Sequence, residues 1–333
     1  DEEFFNSTRG TYGLTAKTTL SSGSFYLYNW TASGLFLRRD VSAPLIGSLR
    51  LVQNTGSTGK SAAQLIADEK CSAVLDDTGE ATALRAVSYS DTTWALLFNS
   101  AVGSVFENQA LRQALAGIAR ENAEVPSSGL YTAAEGLVPA GLTVDGIAYR
   151  DTAGDPMPVI PDPRALYLEA RQGMASSDFS GVTLLVPKEA GLTELAEQIN
   201  GAWQKDCSLF FSIEEVPQEE FAKRLAAGNY TIALAPIQAE GGSVYQMLQQ
   251  FGGEASLTGC DDPLYDQLLS ESAAQTGSSR CALLAQCERQ LLDGCTVVPL
   301  LAQQKRLLIA DGISGLVFDP FTPVVDVTFA EKN

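Results

Sequence analysis

The sequence predicts an α/β protein built from two segments of chain, and three observations carry that reading. The first is a block of alternating elements. Val182 to Pro187 (VTLLVP), Ser208 to Ile213 (SLFFSI) and Tyr230 to Ala235 (YTIALA) are short apolar runs separated by helical stripes. Strand–helix–strand with short loops implies right-handed crossovers, hence parallel strands. The second is a long apolar run, Trp94 to Phe98, that stops at Asn99 as a buried strand stops. Leu111, Leu115 and Ile118 then recur at helical spacing, with Arg112, Gln113 and Arg120 on the other side. The third is length: 333 residues suffice for two domains, each with its own core.

Residues 1–97 read as strands and one helix. Gly23 to Trp30 and Gly34 to Asp40 are alternating runs with a turn between, a hairpin signal. Ser48 to Val52 reads as a strand and Lys60 to Glu69 as a helix with Ala63, Leu65 and Ile66 inward. Cys71 to Leu75 reads as the next strand, which completes a β–α–β unit. Thr55 to Ser61 imitates a phosphate-binding loop, with Val74 to Asp77 as its metal-binding strand end. The pattern requires glycine at position 54, which is Asn54, so the stretch reads as a polar turn whose Thr or Ser caps the helix.

Residues 98–294 read as a second, continuous α/β lobe. Leu192, Leu195, Ala196, Ile199 and Trp203 form one helical stripe. Glu214, Glu215 and Pro217 end the strand that starts at Ser208. Phe221, Ala222 and Leu225 form the next helical face, closed by Gly228. Two helices follow, Asp262 to Ser270 and Ser279 to Asp293, the second burying Leu283, Leu284, Cys287 and Leu291. Residues 295–333 return to the first lobe through the strand Thr296 to Leu301, then close with Arg306 to Ala310 and Ile313 to Pro320. Trp94 and Trp203 read as core residues.

Composition excludes several functions. With 22 basic and 40 acidic residues, net charge −18, the chain lacks the cationic clusters that nucleic acid or anionic lipid requires. It has no histidine, which removes histidine-based nucleophile sites, histidine-ligated zinc and histidine acid–base chemistry. No apolar run is long enough to span a membrane. Cys71, Cys207, Cys260, Cys281, Cys287 and Cys295 form no CxxC pair, so neither a zinc knuckle nor a thioredoxin-type site is expected, and no cofactor or metal is implied. Most read as small buried hydrophobes; a Cys287–Cys295 disulfide stays open as an alternative. The chain opens Asp1-Glu-Glu-Phe-Phe, without Met, signal peptide or lipidation cysteine near its start, so it is expected to be a processed form or a piece of a longer protein.

The order of several motifs resembles the extracellular solute-binding proteins of peptide and nickel ABC importers (family 5). Leu111-Arg-Gln-Ala-Leu115 is similar to their "VRQAL" helix and Gly136 to Gly141 (GLVPAG) to their "GLVPPG" loop. Glu219 to Leu234 follows their "EEFxxRLxxGDYDIAL", and Thr296 to Leu301 their "xxVPLY" strand. The resemblance spans nearly the whole chain, but members carry a long further stretch before the Gly23 hairpin. It implies a two-lobed periplasmic-binding-protein-like fold with the second lobe complete and the first partial. It also implies a binder rather than an enzyme. Such a protein would hold an oligopeptide or similar small polar solute between its lobes and close about the crossing strands near Asn99 and Pro299. It would act as a monomer, extracellular and membrane-anchored or periplasmic, with the subunits of an ABC permease. Ala239-Glu240 aligns with the "A-D" whose acid holds a peptide's ammonium in relatives, so Glu240 is the leading ligand-binding candidate. Gly241 would let backbone approach the ligand; Gln238 and Asn99 are secondary. Here Glu replaces Asp, Gly241 replaces an aromatic residue and Pro236 replaces Gly. The competing readings are a solvent-exposed loop acid at Glu240, a non-transport sensor or chaperone domain, and an α/β enzyme without histidine chemistry.

Overall fold

The computed structural model describes residues 2–53, 59–76, 78–80, 82–318 and 325–333. Most of the turn resembling a phosphate-binding loop (54–58), Asp77, and the expected strand end at Asp319 and Pro320 lie outside the described residues. The chain divides into two compact units, residues 1–87 with 306–333 and residues 88–305.

In the first unit a short helix, α1 (Glu2–Ser7), precedes the hairpin β1 (Tyr26–Thr31) and β2 (Gly34–Arg38). β3 (Ser48–Leu51) joins β2 antiparallel, giving a three-stranded sheet in the order β1-β2-β3. Next come α2 (Ala62–Ala67) and β4 (Ala73–Asp76). Ser61 caps α2: its hydroxyl accepts from Gln64 N while the Gln64 side chain accepts from Ser61 N. The expected β–α–β unit is not formed. β3 pairs with β2, whereas β4 pairs with residues 306–309 of a strand from the far end of the chain. A partner ten residues upstream closes a small loop at little entropic cost, and β3 takes it.

β5 (Arg85–Phe98) enters the second unit, where α3 (Gln109–Asn122), β6 (Tyr131–Ala133), β7 (Thr143–Val144), β8 (Ile147–Ala148), α4 (Tyr149–Ala153) and α5 (Pro163–Ala170) follow. Then β9 (Thr183–Pro187), α6 (Thr193–Cys207), β10 (Ser212–Val216), α7 (Gln218–Ala226) and β11 (Ile232–Gln238) alternate as expected. The helices α8 (Val244–Gln249), α9 (Pro263–Ala273) and α10 (Gly277–Asp293) precede β12 (Val297–Ile309). The sheet order is β10-β9-β11-β5-β12, with β6 also on β12. β10 and β11 both run parallel to β9, as the alternation predicts, and β5 runs antiparallel to β11. β12 is one 13-residue strand where two were expected, and its last residues carry β4 in the first unit. Four two-residue strands close the chain: β13 (Ile313–Ser314) pairs with β16 (Glu331–Lys332), and β14 (Val317–Phe318) with β15 (Val325–Asp326).

One strand is displaced from its expected place. The run from Ser208 is not extended; the strand starts at Ser212 and continues through Glu214 and Glu215 to Val216. Ser208 adopts φ 57°, ending α6 in a left-handed residue. The Asn200 side chain then donates to Phe211 O (2.7 Å) and accepts from Phe211 N (3.0 Å), satisfying both backbone groups that a sheet neighbour would have taken.

The core of the second unit lies on one face of the sheet. Leu96 and Phe98 from β5, Leu184 and Val186 from β9, and Ile232 and Leu234 from β11 pack with Leu111, Leu115, Ile199 and Trp203 from α3 and α6. Trp203 is fully buried, donates to Leu115 O at 2.9 Å and packs on Phe98 and Phe211. The alternate residues Ala95, Leu97, Leu185 and Ala233 are also fully buried, so both faces are covered, which explains why these strands read as continuous apolar runs. α5 packs on α3 where Gly117 leaves room: a Cβ there would lie 2.6 Å from Pro163 Cγ.

Candidate functional site

The carboxyl ends of the parallel strands β9, β10 and β11 fall at one edge of the second unit, at Pro187, Val216 and Gln238. Gln238 sits opposite Thr92 of β5. Beyond it Ala239 N donates to Asp91 O (2.8 Å), so the chain stays tied to β5 for one further residue. A tight turn over Glu240–Gly242 follows, with Gly241 at φ 57° and Gly242 at φ 74°. Two successive left-handed residues cost glycine least. A Cβ on Gly241 would meet nothing within 4 Å, so the space over the turn is open.

Glu240 is exposed at the head of this turn, and its carboxylate makes no hydrogen bond or ion pair among the described residues. Beside the turn lies a buried charge. Asp91 is 5% exposed; its Oδ2 accepts from Lys305 Nζ of β12 (2.6 Å) and from Gln238 Nε2 (3.3 Å), and its Oδ1 accepts from Thr92 Oγ1 (2.7 Å). Lys305 also lies 5.7 Å from the Tyr89 ring centroid. The edge therefore carries one satisfied acid–lysine pair with Gln238 fixed upon it, and one outward carboxylate with no partner of its own. Such an edge can accept a cationic group at Glu240 and offer amide hydrogen bonds from Gln238.

Three of the expected site residues, Gln238, Glu240 and Gly241, are thus together. Asn99 is elsewhere, at the opposite end of β5. Its Nδ2 donates to Gly228 O and Tyr230 O (both 2.9 Å) and its Oδ1 accepts from Ala101 N (3.2 Å), pinning the loop that enters β11. Asp91 and Lys305 escaped the sequence reading. Their signal is a charged residue in the polar lead-in to an apolar run, Ser90-Asp91-Thr92 before Trp94 and Gln303-Gln304-Lys305 before Leu307.

The two motifs most specific in the sequence serve the scaffold. Arg112 of the LRQAL helix is buried and donates through Nε to Gly294 O (2.9 Å) and through Nη1 to Phe106 O (2.6 Å) and Glu107 O (3.0 Å). The 136–141 loop is held by the fully buried Glu288 of α10. That carboxylate accepts from Val138 N (2.9 Å), Tyr149 OH (3.0 Å) and Arg150 Nη2 (2.5 Å). Burial, reinforced by the Glu288 charge, pushes the Tyr149 phenol far above its ordinary value, so it stays a donor. Gly136 is obligatory because a Cβ would stand 2.6 Å from Arg150 Nη2 and 2.8 Å from Glu288 Oε1.

All six cysteines are free, with Cys207, Cys281, Cys287 and Cys295 buried, as hydrophobes would be. Among the described residues no group of His, Cys, Asp and Glu is placed to hold a metal ion, and no helix is long and apolar enough to cross a membrane.

Solved structures share this fold. The substrate-binding domain of an oligopeptide ABC transporter from Bacillus anthracis is 19% identical, with a TM-score of 0.66 over 100% of this chain and 69% of its own. OppA of Listeria monocytogenes, solved bound to peptide, is 17% identical with a TM-score of 0.63, covering 100% of this chain and 68% of its own. HbpA2 of Haemophilus parasuis is 14% identical with a TM-score of 0.70, covering 100% and 69%. The fold is therefore the α/β, periplasmic-binding-protein-like one that the motif order implies. No protein-family profile and no curated protein sequence matches the chain.

Proposed function

We propose that this chain is the solute-binding component of an ABC importer, that it takes oligopeptides, and that it performs no chemistry of its own. The two compact units correspond in this reading to the two lobes, the first of them partial. The protein works outside the cytoplasmic membrane, anchored to it or free in a periplasm, as a monomer that delivers its ligand to permease subunits. The fold likeness to peptide-binding proteins supports the class of ligand. The observation that carries the reading is Glu240: an exposed carboxylate without a partner, at the carboxyl end of β11, beside the fixed amide of Gln238 and an open glycine turn. Ligands of α/β sheets gather at strand carboxyl ends, and a peptide's ammonium is the complement of a lone carboxylate.

Calorimetry with a free and an N-acetylated peptide tests it. The free peptide should bind the full-length protein and the acetylated one poorly. Glu240→Gln should weaken the free peptide roughly 30-fold, the equivalent of about 2 kcal/mol, and narrow the difference between the two forms. Equal affinity of parent and variant would reduce Glu240 to a surface acid.

A further inference from the structure

At the opposite end of the second unit's sheet lies a cavity of about 290 Å³. It is lined by Arg112 of α3, Phe251, Cys260 and Asp261 of the loop before α9, and Leu291 and Asp293 at the end of α10. It touches Thr296, whose carbonyl accepts from Phe98 N, whereas the Gln238 edge lies at Asp91. Seven residues of β5 separate the two, roughly 24 Å of extended chain. Cavity and edge are distinct places.

The cavity's charges are unusual for its depth. Arg112 is 5% exposed, yet its hydrogen bonds all go to carbonyl oxygens and it forms no ion pair among the described residues. Burial lowers its pKa, the mark of a cation held without a counter-charge. Its Nε and Nη1 are engaged, and its Nη2 makes no hydrogen bond among the described residues. Across the opening stand two exposed acids, Asp261 and Asp293, whose carboxylates have no partner among the described residues. Asp262 is spoken for: its Oδ1 caps α9 and its Oδ2 accepts from Gln290. A buried donor at the base, acids at the rim and the apolar wall of Phe251 and Leu291 define a ligand with an inner anion, an outer cation and an uncharged side group. A cavity of this size sits at the low end of small-molecule pockets.

We propose that this cavity binds a free α-amino acid with an apolar side chain. The carboxylate meets Arg112 Nη2, the ammonium faces Asp261 and Asp293, and the side chain lies on Phe251 and Leu291. The site is independent of the peptide reading and stands or falls apart from it.

Cys260 lines the cavity and is part-exposed, so it reports occupancy. Alkylation by iodoacetamide, mapped by mass, is followed on the full chain with L-leucine. Leucinamide lacks the carboxylate, 4-methylpentanoate lacks the ammonium, and inorganic phosphate tests for a bare anion site. L-leucine should slow Cys260 in a saturable way and leave Cys71, in the other unit, unchanged; the three controls should not protect. Asp261→Asn with Asp293→Asn removes only exposed carboxylates and should raise the leucine concentration for half-protection about tenfold. Calorimetry of leucine on parent and double variant gives a second readout, with the same shift expected. No protection and no heat, equal protection by any control, or an unshifted double variant would each overturn the proposal.

Discussion

The aromatic side chains of β1 and those packed around β5 meet opposite fates. In residues 88–305, Phe98, Phe106 and Trp203 are fully buried and Phe211 nearly so, stacked between the sheet and α3 and α6. In the first unit, Tyr26, Tyr28 and Trp30 of β1 are 49%, 51% and 54% exposed, and Leu51 of β3 is 47% exposed. A buried cluster there gathers Ala62, Ile66 and Leu308. The strands of both units are rich in apolar residues. The difference is layering: β5, β9 and β11 have helices against them, while β1-β2-β3 presents aromatic side chains to solvent. An apolar strand is a demand for a second layer, and only the second unit meets it fully.

The sharpest way to break this contrast is a pair of tryptophan truncations. Trp203→Ala should cost about 3–5 kcal/mol, since it empties a filled core and removes the bond to Leu115. Trp30→Ala should cost less than about 1 kcal/mol, the scale of an exposed cross-strand pair. Urea denaturation of each variant measures both; equal losses would show that the first unit has a core that its exposure conceals. A comparable gap separates two ion pairs. Glu288→Ala leaves Arg150 without its carboxylate and should cost about 3–5 kcal/mol. The exposed Lys60–Asp68 pair of the first unit should contribute far less when Asp68 becomes Asn.

A smaller effect, about 1 kcal/mol, is expected from Asp162→Ala, because Asp162 caps α5 by accepting from Ala165 N at 2.8 Å. The cysteines give a graded chemical test. Burial raises the Cys207 and Cys287 thiols to about 12 and Cys295 to about 11, so native protein at pH 8 should alkylate these three last and the part-exposed Cys71 and Cys260 first. With all six free, reductant should leave the melting temperature unchanged; a fall of more than about 10 °C would reveal a disulfide. The least effect is a pH dependence. The Lys60 ammonium holds the Asp68 carboxyl below its ordinary 3.8, by hydrogen bond first and charge second. A lowered folded-state pKa contributes above the unfolded value and is lost as pH falls through the folded one. Removing Asp68 should therefore take away a slight stabilisation that is present above about pH 4, and parent and variant should converge below it.

The sequence was legible where local periodicity and burial agree. The helix carrying Leu111, Leu115 and Ile118, the parallel strands at Leu184 and Ile232, and the α9–α10 pair all stand where their apolar spacing puts them. It misled where apolar residues serve a connector. Leu209, Phe210 and Phe211 look like a strand, but Phe210 is 67% exposed and the backbone of Phe211 is satisfied by a side chain. Helix α5 passed unread although Asp162-Pro163 is a cap followed by proline at the first helical position. At the candidate edge, Gln238, Glu240 and Gly241 could be read because they are contiguous. Asp91 and Lys305 could not, being 214 residues apart and brought together only by the antiparallel return of β12.

The empty space above Gly241 also bears on how such a protein could change its taste. Gly136 and Glu288 are locked by close contacts, so drift there would cost the fold. Position 241 is limited only by its left-handed backbone, which asparagine also tolerates. A change to Asn would place an amide beside Glu240 at some backbone cost, its Cβ meeting no atom within 4 Å. On the proposed reading, in which this turn meets the ligand, ligand range could shift here while the architecture stays fixed.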